Sequence, residues 1–194
     1  MKGITGIILA GGRATRMGGD DKGLTTINGK PMVQHVIERL TPQVGTMIIS
    51  ANRNQRYYEA FGYPVISDYN DKFDGPLAGI ASAIEITDTP LILVTPCDTP
   101  LIPADLVERL YESLQQTDSP IAVAHDGERM QQLCFLASHH IIDSIKERLA
   151  DNERRVYRWL ESLNPAICNF NSTMLFSNIN TPEEQSAIEQ QLQD

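Results

Sequence analysis

The sequence predicts a three-layer α/β domain over residues 1–194, with a mainly parallel sheet and helices on both faces. Two observations carry that expectation. Short apolar runs alternate with amphipathic stretches from one end of the chain to the other, and no linker, repeat or low-complexity tract interrupts them. Directly behind the first apolar run comes a segment rich in glycine and basic residues, as found where a strand hands over to a phosphate-binding turn.

Taken in order, residues 4–10 (ITGIILA) read as the first strand. Residues 31–40 (PMVQHVIERL) read as a helix, with Pro31 in the first turn and Val33, Val36, Ile37 and Leu40 on one face. A strand over 46–50 (TMIIS), a helix over 54–62 stopped at Gly62 and a short strand over 63–68 follow. Residues 76–86 are helical, and 90–98 (PLILVTPCD) form a strand ending in polar residues. Pro103 opens a helix over 103–114 that buries Leu106, Val107, Leu110 and Leu114. Strands at 121–126 and 133–138 flank a polar turn, and helices cover 139–150 and 154–163. The final helix, 181–192, has Thr181 as N-cap, Pro182 at its first position and Glu184 closing a capping box.

Composition narrows the function classes. The net charge of −9 argues against a nucleic-acid backbone as partner. The charge is unevenly placed, because Lys2, Arg13, Arg16, Lys22 and Lys30 face only Asp20 and Asp21 within the first thirty residues. An acidic chain with a basic glycine-rich segment suits a small polyanion. No apolar run approaches the roughly 18 residues of a membrane span. The opening MKGITGIILAGG reads as a core strand, not a signal peptide. Cys97, Cys134 and Cys168 are odd in number and widely spaced, which fits reduced thiols in a cytoplasmic protein.

In such sheets ligands sit beyond the carboxyl ends of the strands, near the switch in strand order. Residues 10–23, Ser50–Arg53, Asp68 and Cys97–Asp98 all fall at expected strand ends. The stretch ILAGGRATRMGGDDKGL (8–24) is neither a P-loop nor a dinucleotide fingerprint: no glycine precedes Lys-Ser or Lys-Thr, and the spacing G-x-G-x-x-G is absent there. Its bland alternative is a solvated surface loop.

The full string LAGGRATRMGGDDKGL resembles nucleotidyltransferases that attach a nucleoside monophosphate to a phosphorylated acceptor. More narrowly, with NGKPMVQHV, SANRNQ, DGPLAGIASAI, TPCDTPLIP, DGERM, ERRV and NINTPEE, the chain resembles the molybdenum cofactor guanylyltransferases. That resemblance implies a Rossmann-like nucleotidyltransferase fold and GTP and molybdopterin as substrates. It implies GTP contacts from Leu9, Ala10 and Gly11 through backbone, from Lys22 on the phosphates, and from Asp68. Asp98 is implied to hold Mg²⁺ and GTP. Gly12, Arg16, Gly79, Asn178 and Asn180 match further site positions, with Arg16 beside Lys22 and Asp98 in the catalytic set. Gly79, Asn178 and Asn180 are placed toward the acceptor. Two departures stand out: Ser50 replaces a usual Asn, and Gln131-Gln132 replace the commoner His-Pro.

The chemistry agrees with the residues present. An acceptor phosphate has a second pKa of about 6 and is mostly dianionic near neutral pH, so no general base is required. What such an enzyme supplies is positioning and charge neutralisation. Mg²⁺ needs only one or two carboxylates beside substrate phosphates, so Asp98 alone is adequate. Cys97 is expected to be a small buried residue and not a nucleophile, and His35, His125, His139 and His140 to be structural or solvated. Arg154 and Arg155 lie either on a solvated helix face or against the acceptor's phosphate. The expected protein is a cytoplasmic monomer without nucleic-acid or membrane partners, served by proteins that deliver or collect the cofactor. A cytidylyl- or sugar-phosphate nucleotidyltransferase, and a GTP-binding module without catalysis, remain as alternatives.

Overall fold

The computed structural model describes residues 2–10, 21–68, 75–179 and 182–192. Strand β1 (Ile4–Leu9) is followed by a 3₁₀ turn at Lys22–Leu24 and a small antiparallel hairpin, β2 (Thr26–Ile27) and β3 (Lys30–Pro31). Helix α1 (Met32–Leu40), β4 (Thr46–Ser50), α2 (Gln55–Glu59) and β5 (Val65–Ile66) complete the first half. Then come α3 (Pro76–Glu85), β6 (Leu91–Pro96), α4 (Leu106–Gln115), β7 (Ile121–His125) and β8 (Met130–Ser138). Helices α5 (Ile141–Ala150) and α6 (Val156–Ser162), strand β9 (Ala166–Asn169) and helix α7 (Pro182–Gln191) end the chain.

Seven strands form one sheet in the order β5-β4-β1-β6-β8-β7-β9. The β5–β4, β4–β1, β1–β6 and β7–β9 pairs are parallel, whereas β8 runs antiparallel to both β6 and β7. The mainly parallel expectation therefore holds, with β8 as the reversed strand. The two-residue side-chain period of a strand sorts the core onto two faces. Ile4, Ile8, Ile49, Leu93, Ala122 and Leu136 pack with α1 and α4 through Val33, Val36, Leu106 and Leu110. Ile7, Ile48, Val94, Val123 and Phe135 pack on the other face with Leu77, Ile80, Ile141 and Trp159 of α3, α5 and α6. Trp159 is fully buried, edge-on to Phe135 at 5.7 Å, and its indole N–H donates to Ser144 Oγ at 3.0 Å.

Three local expectations are corrected. Helix α4 begins at Leu106 instead of Pro103, because buried Gln43 caps it from outside. Gln43 Oε1 accepts the Val107 N–H at 3.0 Å while its amide donates to Pro103 O at 2.9 Å. Pro31 lies at the α1 N-cap with extended ψ of 142°, closing the hairpin instead of entering the helix. Strand β9, with alternating buried and exposed residues, and the β2–β3 hairpin were not among the expected elements. The Thr181 cap lies outside the described residues.

Candidate active site

The strand order reverses direction at β1: the chain goes next to β4 on one side and later to β6 on the other. The crevice beyond the carboxyl ends of β1 and β6 is the switch point. Pairing continues to its lip, where Ala10 N–H donates to Ser50 O at 2.7 Å and Cys97 N–H to Leu9 O at 3.0 Å. Leu9 and Ala10 thus lie at the end of β1, and Asp98 just after β6. Gly11, Gly12, Arg16 and Asn180 lie outside the described residues.

Lys22 enters the crevice from the 3₁₀ turn. Its Nζ is 3.6 Å from Asp98 Oδ2, with the two side chains 31% and 17% exposed. The partial burial has a consequence: it pushes the Asp98 carboxyl above its ordinary value, against the opposing pull of Lys22. A further cation at this carboxylate would relieve the same penalty. Among the described residues no cluster of three or more His, Cys, Asp or Glu side chains is arranged to hold a metal. A single carboxylate beside substrate phosphates is a donor set that Mg²⁺ accepts. Next to Asp98, buried Thr99 donates its hydroxyl to Asn178 Oδ1 at 3.2 Å, which brings Asn178 to the same place.

The turn bearing Lys22 is held from below. Asp21 caps it, accepting from Gly23 N–H at 3.2 Å, from the Tyr58 hydroxyl at 2.6 Å and from Asn54 Nδ2 at 3.0 Å. Gly23 is buried so tightly that a Cβ there would lie 3.0 Å from Cys97 Sγ and would run into the Tyr58 hydroxyl. Burial, and then the neighbouring Asp98, push the Cys97 thiol well up, so it stays protonated and unreactive as expected.

A second group gathers at the ends of β4 and β5. A Cβ on Gly79 would lie 2.5 Å from Ser50 Oγ and 3.0 Å from Asp68 Oδ1, so these three residues meet closely. Asn52 fixes Asp68 from both sides: its Nδ2 donates to Asp68 Oδ2 and its Oδ1 accepts the Asp68 N–H, each at 2.8 Å. Gly79 therefore sits beside Asp68 and Ser50, at the β4–β5 side of the sheet edge. Helix α3 starts behind Gly75, whose φ of 82° favours glycine, and Arg154 O lies 3.9 Å from where a Gly75 Cβ would be.

Arg155 is clamped by its own neighbour. Its Nε and Nη2 donate to the two carboxylate oxygens of Glu153 at 2.7 Å, and Arg158 joins Glu153 Oε2 at 3.1 Å. Hydrogen bonds from Arg155, aided by Arg158, hold the Glu153 carboxyl down at about 2. The departure at Gln131 also has a structural counterpart. Its amide donates to Asp126 Oδ2 at 2.5 Å, and Asp126 Oδ1 accepts the Glu128 and Arg129 N–H groups at 2.8 Å. Burial pushes the Asp126 carboxyl up, but these donors outweigh it and hold it below the ordinary range. The histidines are structural where their bonds are defined: His35 Nε2 donates to Ile27 O, and His139 Nε2 bonds the carbonyls of Ile84 and Thr87.

Asn54, Tyr58 and Glu153 carry no signal in the sequence as site residues, while Asp21 and Asn52 fall within the expected ligand-side segments without a role of their own. The signal for Asp21 was its place as an acceptor just before a Lys-Gly turn.

Residues 6–166 match the family model described as a MobA-like NTP transferase domain. The chain belongs to the MobA-like NTP transferase family. Within this family it is similar to the molybdenum cofactor guanylyltransferase of Shewanella sediminis, 45% identical over 186 residues and 95% of each chain. Its fold is shared with molybdopterin-guanine dinucleotide biosynthesis protein A of Archaeoglobus fulgidus (TM-score 0.78, 19% identity, 97% of this chain and 98% of that one). It is shared as well with 4-diphosphocytidyl-2C-methyl-D-erythritol synthase of Anaerococcus prevotii (TM-score 0.74, 12% identity, 98% and 96%). The mixed α/β fold is thus shared with both proteins. Among the described residues no helix is long and apolar enough to cross a membrane.

Proposed function

We propose that this nucleotidyltransferase moves GMP from GTP to the terminal phosphate of molybdopterin, forming the guanine dinucleotide form of the molybdenum cofactor. The observation that carries the site is the Lys22–Asp98 pair at the switch point, a cation and a carboxylate 3.6 Å apart at the ends of two adjacent segments. The likeness to a molybdenum cofactor guanylyltransferase across 95% of the chain supports the choice of substrates. In the reaction an acceptor phosphate oxygen bonds to the α-phosphorus of GTP, the bond from that phosphorus to the bridging β oxygen breaks, and pyrophosphate leaves.

Lys22 neutralises the triphosphate and the charge that passes to the leaving pyrophosphate. Leu9, Ala10, Gly11, Gly12 and Arg16 are assigned to the phosphates with Lys22. Asp98 would hold Mg²⁺, which would supply charge neutralisation and alignment of the phosphates. At the other end of the crevice Asp68, braced by Asn52, is an acceptor-only carboxylate. Guanine presents N1–H and N2–H₂ donors that suit it. From β5 to β6 the sheet edge spans three strand spacings, about 14 Å, a distance that lets one nucleotide reach both groups. Asn178, Asn180, Arg154 and Arg155 are assigned to the acceptor. We place the enzyme in the cytoplasm as a monomer that receives the cofactor from, and passes it to, other proteins.

The test is pyrophosphate release from GTP, CTP, ATP and UTP, each with molybdopterin and Mg²⁺. Release from GTP above the other three is the expected result. Preference for CTP would replace the guanylyl assignment by a cytidylyl one, and nucleotide binding without release would make the chain a binding module.

A further inference from the structure

Asp21 has no part in the chemistry just described, yet its bonds join two separate parts of the fold. Its backbone carbonyl accepts the Leu24 N–H at 3.0 Å and its carboxylate accepts Gly23 N–H, both within the turn that carries Lys22. The same carboxylate takes the Tyr58 hydroxyl at 2.6 Å and the Asn54 amide at 3.0 Å, from the entry and body of α2. Tyr58 is fully buried in the main core, so its ring cannot move to follow the turn. Burial, Cys97 and Asp21 push its phenol up, so the hydroxyl remains a donor. A short O–H···O⁻ bond of this kind is charge-assisted and directional.

Lys22 directly follows Asp21, and the Thr25 N–H donates back to Lys22 O at 3.1 Å. From this geometry we infer that Asp21, anchored by Tyr58 and Asn54, is a positioning residue that aims the Lys22 ammonium into the crevice beside Asp98. The inference rests on Lys22 being a triphosphate ligand. It concerns the turn alone and is independent of which base is bound.

The sign of the effect separates positioning from electrostatics. Removing a carboxylate near a polyanion site should by charge alone tighten triphosphate binding. Loss of positioning should weaken it. Tyr58→Phe changes no charge and keeps the ring, so it isolates the anchor.

The experiment titrates GTP and inorganic triphosphate into wild type, Asp21→Ala, Tyr58→Phe and Lys22→Ala, and into each of the first two variants combined with Lys22→Ala. Thermal unfolding is followed in parallel. The expected result is binding of both probes weakened by about 10-fold in Asp21→Ala and somewhat less in Tyr58→Phe. Neither substitution should weaken binding further once Lys22 is gone, because both act through it. Unchanged or tighter binding in Tyr58→Phe would overturn the inference, as would an equal loss with and without Lys22. Should Asp21→Ala fail to fold, the Tyr58→Phe pair decides alone. A wild type that prefers CTP but binds inorganic triphosphate would defeat the guanylyl assignment and leave this test intact. A wild type that binds neither probe would overturn both.

Discussion

Gly79→Ala sets two effects of similar size against each other. Residue 79 lies inside α3, where alanine is favoured over glycine by about 1 kcal/mol of intrinsic helix propensity. Against this, the new methyl would lie 2.5 Å from Ser50 Oγ and 3.0 Å from Asp68 Oδ1. Ser50 is buried at the end of a central strand, and Asp68 is held by two hydrogen bonds to Asn52. Neither can move cheaply, and overpacking of this kind costs roughly 1–3 kcal/mol. The clash should win by about 1 kcal/mol, lowering Tm by about 2–4 °C for a chain of this size.

GTP affinity should fall by more than stability does, because the displaced group includes Asp68. Ser50→Ala provides the control. Without the hydroxyl the nearest Ser50 atom to the new methyl is its Cβ, 3.6 Å away in ordinary contact. The double variant should therefore regain most of the lost Tm, and only part of the affinity, since the Asp68 contact remains. Scanning calorimetry and calorimetric GTP titration of the three variants measure both quantities. A Gly79→Ala protein more stable than wild type with unchanged GTP affinity would refute the close meeting of Gly79, Ser50 and Asp68.

Asp98→Asn should abolish turnover and leave Tm unchanged or slightly raised at neutral pH. Burial raises the Asp98 carboxyl in the folded chain, so its stability contribution is present below the unfolded pKa and lost as pH rises through the folded one; wild-type turnover at limiting Mg²⁺ would contradict the metal assignment. Lys22→Ala should weaken GTP binding by about 10- to 100-fold, the value of one charge-assisted contact, and make binding less sensitive to salt; normal binding at both low and high salt would remove Lys22 from the cradle. Gly11→Val should block GTP binding through bulk alone, in titrations where the circular dichroism spectrum stays that of wild type. Carbon-13 NMR should place the Glu153 carboxyl near its value of about 2, its clamp persisting well below the usual glutamate range and failing as pH falls through that value; Arg155→Ala should return the titration toward normal.

Legibility in the sequence followed how local each cause is. Strand β4 agrees with TMIIS residue for residue, and the four apolar positions expected on α4 are all buried, because periodicity is a property of adjacent residues. The start of α4 was misplaced because its cap is a side chain 64 residues away in the chain. Strand β9 was missed because four residues with a two-residue period carry little signal beside polar neighbours. Asp68 and Asp98 were legible as charged residues at strand ends, and the family resemblance assigned roles to them and to Lys22. The contact of Asp21 with Tyr58 was not legible, since the two lie 37 residues apart and meet only in the folded chain. Gln131 likewise shows its partner, Asp126, only once β7 and β8 turn back on each other.

The reversal of β8 explains how one sheet edge can serve two substrates. Strands β7 and β9 run parallel to one another and antiparallel to β8, which itself opposes β6. It follows that β7 and β9 point the same way as β6 and β1, and that β8 begins at the edge where they end. The Asp126–Arg129 turn, the first residues of β8 and the end of β9 therefore join the ends of β5, β4, β1 and β6 along a single rim. The β5-to-β6 half carries Asp68, Ala10, Lys22 and Asp98, the groups assigned to the nucleotide. The other half carries the start of β8, where Gln131 departs from the family pattern. Under the proposed function the two substrates must meet in line, which puts the reacting phosphates at the junction of the halves. That junction lies beyond β6, and the residues that follow β6 there are Cys97, too buried to react, and Asp98.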